Sequence, residues 1–380
     1  MFSVLESVSN LPKGQKCKID GAVFQLHYTV TVVALIAFFA ILTTRQFVGD
    51  PVNCIYSSEK IKQEAMDVYC WTHTTYTVPF WPNNSETGHP GVGQDHDPST
   101  FRYHTYYQWV YFVLLLQAAL FYAPRFLWLE WEGGRVSTLM EGLRVAALRR
   151  EEKEDKVEVV LDYLLTTWSK HDWYARRYLI CQGLTIVNVL AQYLLLGLFF
   201  EENFITLGFR QLHYHFQTAK ETSPLYKLFP LVTMCSFKAF GETGETQTTP
   251  AICIMPLNIV NKKIYLILWF WFLILIVLSL INIGLDISLH FRSNFRGYAL
   301  RSKFQFVNTD VVQLLCAKGG VGDWLLLYLL GRNLDFIVFK EVMEKLNVHF
   351  VEGDGRNLDD REHESSNEKR KKSFRSFFGI

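Results

Sequence analysis

Net charge is almost absent from this chain, and charged side chains are missing from the centres of its longest apolar runs. The 38 Lys and Arg residues nearly balance the 37 Asp and Glu residues, so the net charge of +1 gives no reason to expect a nucleic-acid partner. Charges within a membrane span mark proton-coupled transporters and voltage sensors. Their absence from the apolar runs argues against both classes.

Four of these apolar runs are long enough to cross a bilayer as helices. About 20 mainly apolar residues span roughly 30 Å of hydrocarbon. The runs are residues 28–44, 108–128, 178–200 and 264–285. Helices that are apolar on all sides have little place in the soluble core of a chain of 380 residues. The sequence therefore predicts an all-α membrane protein built on a four-transmembrane-helix bundle.

Four spans place both termini on the same side of the membrane. Of the 38 Lys and Arg residues, 28 lie in the N-terminal segment, the middle loop and the tail, and 10 lie in the other two loops. Because Lys and Arg are enriched in cytoplasmic loops, we expect cytoplasmic termini. The polar, basic stretch before the first run predicts a retained signal anchor rather than a cleaved signal peptide.

Four of the seven cysteines fall in the two loops assigned to the outside. Cys54 and Cys70 lie in the first loop, and Cys235 and Cys253 lie in the second. An even number in an oxidising compartment predicts disulfide bonds, and the sequence leaves three connectivities open. A zinc site is the competing hypothesis, although it would need tighter, CxxC-like spacing. The other three, expected to be reduced thiols, are Cys17, Cys181 and Cys316.

Two further features of the first outer loop bear on its surface. Asn83 begins an Asn-Asn-Ser sequon, which agrees with an outside location if it is glycosylated. The loop also collects histidines, which suggest sensitivity to pH or metal, or chance accumulation in a surface loop. These histidines are His73, His89, His96 and His104.

A set of short motifs occurs in a specific order along the chain. The strongest is the tetrad just before the second run, formed by Tyr106, Tyr107, Gln108 and Trp109. Further matching segments are residues 47–51, 69–71, 75–76, 117–118, 121–128, 268–271 and 322–331. With two cysteines in each outer loop, these motifs resemble the innexin family of invertebrate gap-junction proteins, over most of the chain up to residue 350.

The resemblance implies a subunit of a ring-shaped, large-pore channel in the plasma membrane, with an octamer as the expected assembly. Two rings docked across adjacent cells would form a gap junction, and other innexins would be possible partners in mixed rings. It also implies crosswise disulfides, Cys54 to Cys253 and Cys70 to Cys235, and an N-terminal segment that folds into the cytoplasmic pore mouth. No catalytic residue, cofactor or metal is expected.

Three other functions remain as alternatives. A hemichannel that does not dock, in the manner of pannexins, is the nearest, and a glycan on Asn83 would favour it. A four-span adhesion or scaffold protein is less consistent, because the CCG motif of tetraspanins and the W-GLW-C-C pattern of claudins are missing. A membrane enzyme would need ionisable residues meeting at one membrane depth, and no such group is present in the sequence.

Polar residues and a proline within the spans allow more than one interpretation. Pro124 removes a helical hydrogen bond near the end of the second span, which favours either a gating hinge or a static bend. Gln182, Asn188 and Gln192 in the third span would make hydrogen bonds between helices or line the pore.

The remaining segments predict a helical cytoplasmic domain and a disordered tail. Val157, Val160, Leu161 and Leu164 share one helical face of the middle loop, and Asp323 suits a helix N-cap. The charged tail includes a basic cluster at 369–372, which predicts either contact with anionic membrane lipid or a solvated tail without a partner. The predicted segments are 1–27 (cytoplasmic, pore-lining), 28–44 (span one), 45–107 (outer loop one), 108–128 (span two), 129–177 (cytoplasmic loop), 178–200 (span three), 201–263 (outer loop two), 264–285 (span four), 286–351 (cytoplasmic helices) and 352–380 (tail).

Overall fold

The computed structural model describes residues 17–57, 61–78, 90–93, 98–141, 143, 150–200, 204–216, 223–240 and 243–352. The chain divides into two compact units. Ala22–Phe126 and Gln182–Asn282 form the sheet unit, which contains every strand of the described residues. The described parts of Met1–Gly21, Leu127–Cys181 and Ile283–Ile380 form the helical unit.

The described residues form thirteen helices and five strands, besides short 3-10 turns. The helices are α1 (Ala22–Val48), α2 (Gln63–Thr72), α3 (Val110–Glu132), α4 (Arg135–Leu139), α5 (Arg150–Thr166), α6 (Asp172–Phe199), α7 (Leu207–Phe216), α8 (Pro224–Leu228), α9 (Leu257–Phe291), α10 (Ser293–Lys303), α11 (Thr309–Lys318), α12 (Val321–Asn333) and α13 (residues 336–352). The strands are β1 (Asn53–Ile55), β2 (Thr75–Thr77), β3 (Arg102–His104), β4 (Val232–Phe240) and β5 (Thr246–Ile254).

Four of the helices, α1, α3, α6 and α9, are long and apolar enough to cross a membrane. Each predicted run lies on one of them, to within two residues at its ends. All four helices extend beyond the runs, because the polar turns that flank the apolar residues are also helical. The membrane boundaries inside these helices stay predictions. The helical class and the four apolar helices confirm the predicted all-α membrane fold.

Helix α9 explains why such helices suit a membrane. One face carries Trp269 and Phe272, which are fully buried against the other helices of the sheet unit. The opposite face carries Ile267, Phe270 and Ile274, which are exposed although they are equally apolar. A helix that is hydrophobic on its exposed face as well as its buried face is typical of a membrane span.

Helix α1 contains one irregular segment, a π-helical stretch at Leu26–Thr31. Two buried polar side chains of this stretch bond to α9. His27 Nε2 lies 2.8 Å from Ser279 Oγ, and Trp271 Nε1 donates to Thr31 Oγ1 at 2.8 Å. π-helical turns carry an extra residue per turn and often occur at functional positions. These two bonds fix the start of α1 against α9.

The strands form one antiparallel sheet in the order β1-β5-β4-β2-β3. β4 and β5 make a long hairpin from the second predicted outer loop, while β1, β2 and β3 come from the first. We predicted no sheet in these loops. The first three strands have only three residues each, which is too short for a local pattern to indicate a strand. β5 contains Pro250, and a proline argues against a strand in the sequence.

The helical unit has its own apolar core. The four residues predicted to share one face of α5 are all buried, which confirms that prediction. In α12, Trp324 and Leu330 are buried, and the backbone at Gly322 lies so close to the carbonyl of His171 that any Cβ would clash at 2.0 Å. The prediction that Asp323 is the N-cap of a helix was wrong, because the N-cap of α12 is Gly320. Asp323 lies inside α12, and its carboxylate reaches back to accept from the N–H of the capping residue Gly320 at 2.8 Å.

Candidate functional site

Two disulfide bonds join the predicted outer loops. In the first, Cys54 of β1 bonds to Cys253, which lies directly opposite it on β5, with an S–S distance of 2.02 Å. In the second, Cys70 of α2 bonds to Cys235 of β4 at 2.08 Å. All four cysteines are buried, and the pairs are the crosswise pairs that the family resemblance implies.

The same bonds contradict the zinc hypothesis for these cysteines. The sulfur atoms of Cys54, Cys70 and Cys253 lie within 4.8 Å of one another, a spacing that metal ligands also have. They are close because the two disulfides pack together. A sulfur atom in a disulfide is not the thiolate that binds zinc, so this cluster is a covalent crosslink.

Helix α2 holds β1 by its backbone. The N–H of Cys54 donates to the Asp67 carboxylate at 2.7 Å, and the Gln63 side-chain amide donates to the Cys54 carbonyl at 2.5 Å. Both backbone groups of a disulfide cysteine are therefore fixed by side chains one turn apart on α2. We did not predict roles for Gln63 and Asp67. A polar pair four residues apart on a short helix was the only signal, and it is common on solvated helices.

The tetrad before the second span anchors α2 from the other side. Tyr107 donates its hydroxyl hydrogen to the Cys70 carbonyl at 3.2 Å. The Gln108 amide donates to the carbonyls of Trp71, Thr72 and His73 at 2.7, 3.2 and 3.0 Å. The last carbonyls of a helix lack partners inside the helix. The Gln108 side chain therefore caps the C-terminus of α2 by donating to these carbonyls. Gln108 lies two residues before α3 begins at Val110.

The outer two members of the tetrad differ in environment. Tyr106 is buried among aromatic rings and makes edge-on contacts with Phe200 and Phe229, both at 5.6 Å between centroids. Burial raises the pKa of the Tyr106 and Tyr107 phenols, so both remain neutral. Trp109 is 58% exposed and packs against Phe112 at 5.9 Å. A half-exposed Trp at the start of an apolar helix is typical of the headgroup level of a bilayer.

Histidines of the first outer loop do not form a common site in the described residues. His104 is buried on β3, and its Nε2 lies 3.0 Å from Thr77 Oγ1 on the neighbouring strand. Burial, and then the charge of Arg102, lower the pKa of His104 to about 3. His73 is exposed and stacks on Tyr69 at 4.2 Å. His89 and His96 lie outside the described residues.

The other predicted residues lie as follows. α3 remains helical through Pro124, and the choice between a hinge and a static bend stays a prediction. Gln182 and Gln192 are buried within the sheet unit and Asn188 is partly buried. Among the described residues, Gln182 Oε1, Asn188 Nδ2 and Gln192 Nε2 have no hydrogen-bond partner, so the choice between bonds between helices and pore lining stays a prediction. Asn83 and the basic cluster of the tail lie outside the described residues.

Comparison with known proteins agrees with the geometry. The Innexin family model matches residues 20–350. Innexin shaking-B of Drosophila melanogaster is 39% identical over 352 residues, which cover 91% of this chain and 94% of that protein. Innexin inx2 of Schistocerca americana is 40% identical over 351 residues, with 91% and 97% covered. Innexin inx2 of Drosophila melanogaster is 39% identical over 352 residues, with 91% and 95% covered.

A family match over most of the chain confirms the resemblance that the tetrad and the cysteine pattern predicted. It also agrees with the expectation of a channel protein rather than an enzyme, since innexins are membrane proteins of gap junctions. With its four apolar helices and two disulfides, this chain belongs to the innexin family.

Proposed function

We propose that this chain is the structural subunit of an octameric ring with a large pore, and that two such rings dock across adjacent cells to pass ions and small molecules. The observation that carries the proposal is the disulfide-tied sheet. Segments from both predicted outer loops form one sheet, and Cys54–Cys253 and Cys70–Cys235 lock them together. Surfaces that must match across a gap between two cells need this kind of rigidity.

The hairpin of β4 and β5 supplies a surface for docking. Its strands pair over nine residues, from Val232 opposite Ile254 to Phe240 opposite Thr246. Phe240 stands at the end of the hairpin away from the disulfides and is 80% exposed. Aromatic residues are enriched at protein–protein interfaces, which supports this end of the hairpin as part of the docking surface.

We further propose that both termini face the cytoplasm and that the N-terminal segment enters the pore mouth. The distribution of Lys and Arg supports this orientation, as does the location of both disulfides in the sheet unit, since disulfides persist in oxidising compartments. Because the chain belongs to the innexin family, we also propose that it can form mixed rings with other innexins.

Paired-cell recording tests the function. Junctional conductance is measured between two cells that express this chain, and membrane current is recorded in single cells from the same culture. Junctional current supports docking. Its absence, with single-cell current present and with protein at the cell surface, would contradict docking and leave a hemichannel.

The hemichannel is the second candidate because of one observation, the sequon at Asn83 in the first outer loop. A bulky glycan there would separate two docking faces. The variant Asn83→Gln decides between the candidates where wild-type cells show only single-cell current. If this variant gains junctional current, the glycan prevents docking in the wild-type protein. If it gains none, the sheet itself does not dock.

A further inference from the structure

A cavity of about 520 Å³ opens between α10 and α11 in the helical unit. Cavities of this size hold ligands such as nucleotides and sugar phosphates. The side chains around it come from both helices. The polar ones include Asn294, Tyr298, Arg301, Thr309 and Gln313, and Gly297 contributes its backbone.

The lining is rich in hydrogen-bond donors and poor in negative charge. It offers the Arg301 guanidinium, the Tyr298 phenol, hydroxyls and two amides, and no Asp or Glu is among the described residues that line it. The segment from 287 to 309 has four Lys or Arg residues and no acidic residue. A guanidinium pairs with phosphate through two hydrogen bonds, and hydroxyl and amide groups suit the hydroxyls of a sugar or polyol.

A glycine keeps the cavity open. Gly297 lines it from the middle of α10, and a Cβ added there would meet no atom within 4 Å. A larger side chain at this position would therefore extend into free space without displacing its neighbours. The cavity is larger than a packing defect the size of one methyl group. It has room for whole side chains.

The cavity also lies close to the end of the fourth apolar run. Ser293 follows Leu285, where the run ends, by eight residues, which is about 12 Å along a helix. The headgroup layer of a bilayer is roughly 5–8 Å thick on each side. By these distances Ser293 lies beyond the headgroup layer, so a lipid ligand would have to extend its headgroup out of that layer to enter the cavity, whereas a soluble ligand would not.

We infer that the cavity between α10 and α11 is a binding site for a phosphorylated polyol, of the chemistry found in inositol phosphates and in the headgroups of phosphoinositide lipids. This inference rests on the proposed cytoplasmic side of the helical unit, where both sources of the ligand occur. It does not depend on docking or on ring size. Arg301 binds the phosphate, and the hydroxyl and amide side chains bind the polyol ring.

The test uses the purified full-length protein in detergent and in reconstituted form. Binding is measured to soluble inositol trisphosphate, and to phosphatidylcholine vesicles with and without phosphatidylinositol bisphosphate. Gly297→Leu places a branched side chain at the Gly297 wall of the cavity, and Gly297→Ala is its matched control. Gln313→Glu adds a carboxylate to the lining, and Gln305→Glu adds the same charge at an exposed residue outside it.

We expect saturable binding by the wild-type protein, weakened at least about tenfold by Gly297→Leu, which occupies space that the ligand needs, and by Gln313→Glu, which repels the phosphate, and unchanged in both controls. Binding to inositol trisphosphate but not to the lipid vesicles identifies a soluble ligand, binding to the lipid vesicles alone identifies a headgroup, and equal affinity for both shows that the site takes the phosphorylated ring from either source. If Gly297→Leu does not fold, the comparison of Gln313→Glu with Gln305→Glu tests the site. No saturable binding to either probe, or equal loss in Gln305→Glu, overturns the site. Normal junctional current in that case would leave the proposed function intact.

Discussion

The Nδ1 atom of His171 lies 2.8 Å from a carboxylate oxygen of Asp323, and both side chains are buried. Because an ionised carboxylate only accepts, Nδ1 is the donor. The other ring nitrogen lies 3.3 Å from the Tyr163 hydroxyl, and Asp323 also accepts from the N–H groups of Ser169 and Gly320 at 3.0 and 2.8 Å. This network joins the loop between the second and third spans to the segment after the fourth span, two parts of the chain 152 residues apart.

Removing the charge of Asp323 is expected to destabilise the helical unit. Asp323→Asn would leave His171 and two backbone N–H groups without an anionic acceptor inside the core, at a cost of about 3 kcal/mol in the free energy of unfolding. Thermal unfolding of the purified protein measures this. Glu344→Gln is the matched control, since Glu344 is exposed and pairs with Lys340 at 3.7 Å, which contributes little. Equal melting temperatures for the two variants would show that the network does not stabilise the unit.

Breaking the Cys54–Cys253 disulfide is expected to abolish junctional conductance. Cys54→Ser or Cys253→Ser would remove the covalent link between β1 and β5, and loss of a native disulfide costs about 2–5 kcal/mol. Conductance between paired cells is compared at matched surface expression, with Cys17→Ser as control because Cys17 is a free thiol. Conductance that survives in the serine variants at normal surface levels would separate these bonds from docking.

Much of this architecture could be read from local sequence. Four long apolar runs indicate spans by composition, and the period of Val157, Val160, Leu161 and Leu164 indicates a buried helical face. The sheet could not be read in this way. β1 is three residues long, and Cys54 pairs with a residue 199 positions away, so the signal lies in distant partners rather than in local alternation.

The roles of individual polar residues depended on the same distant contacts. The tetrad was recognised as a motif, but its sequence did not reveal that Gln108 ends α2. Gln63 and Asp67 escaped notice because their function exists only once β1 lies beside α2. The order of the motifs along the chain therefore identified the family. The structural role of the tetrad became visible only in the folded structure, where Gln108 caps α2.

Gln108 is expected to stabilise the sheet unit through the end of α2. Gln108→Ala would remove the donors to three carbonyl groups, at a cost of about 2 kcal/mol, and would lower junctional conductance by loosening the helix that carries Cys70. Unfolding and paired-cell conductance are both measured. Gln247→Ala on β5 is the control for unfolding alone, since Gln247 is exposed in the same unit but lies on the hairpin proposed for docking. A melting temperature equal to that of the control would mean that the tetrad acts in some way other than by holding α2.

Acidification of the outer solution is expected to destabilise the sheet unit through His104. Burial lowers its pKa from 6.5 to about 3, so below pH 6.5 the unfolded chain binds a proton that the folded chain excludes. The free energy of unfolding therefore falls as the pH drops from 6.5 toward 3, with a slope that approaches about 1.4 kcal/mol per pH unit, and this contribution is fully present above pH 6.5.

Unfolding of the purified protein between about pH 7 and pH 5 measures this slope. His104→Gln removes the titrating group and is expected to flatten the curve, although losing the ring beside Thr77 also lowers stability at neutral pH. His73→Gln, at an exposed position in the same loop, is expected to keep the wild-type slope. A slope unchanged by His104→Gln would show that other groups of the sheet unit set its response to acid.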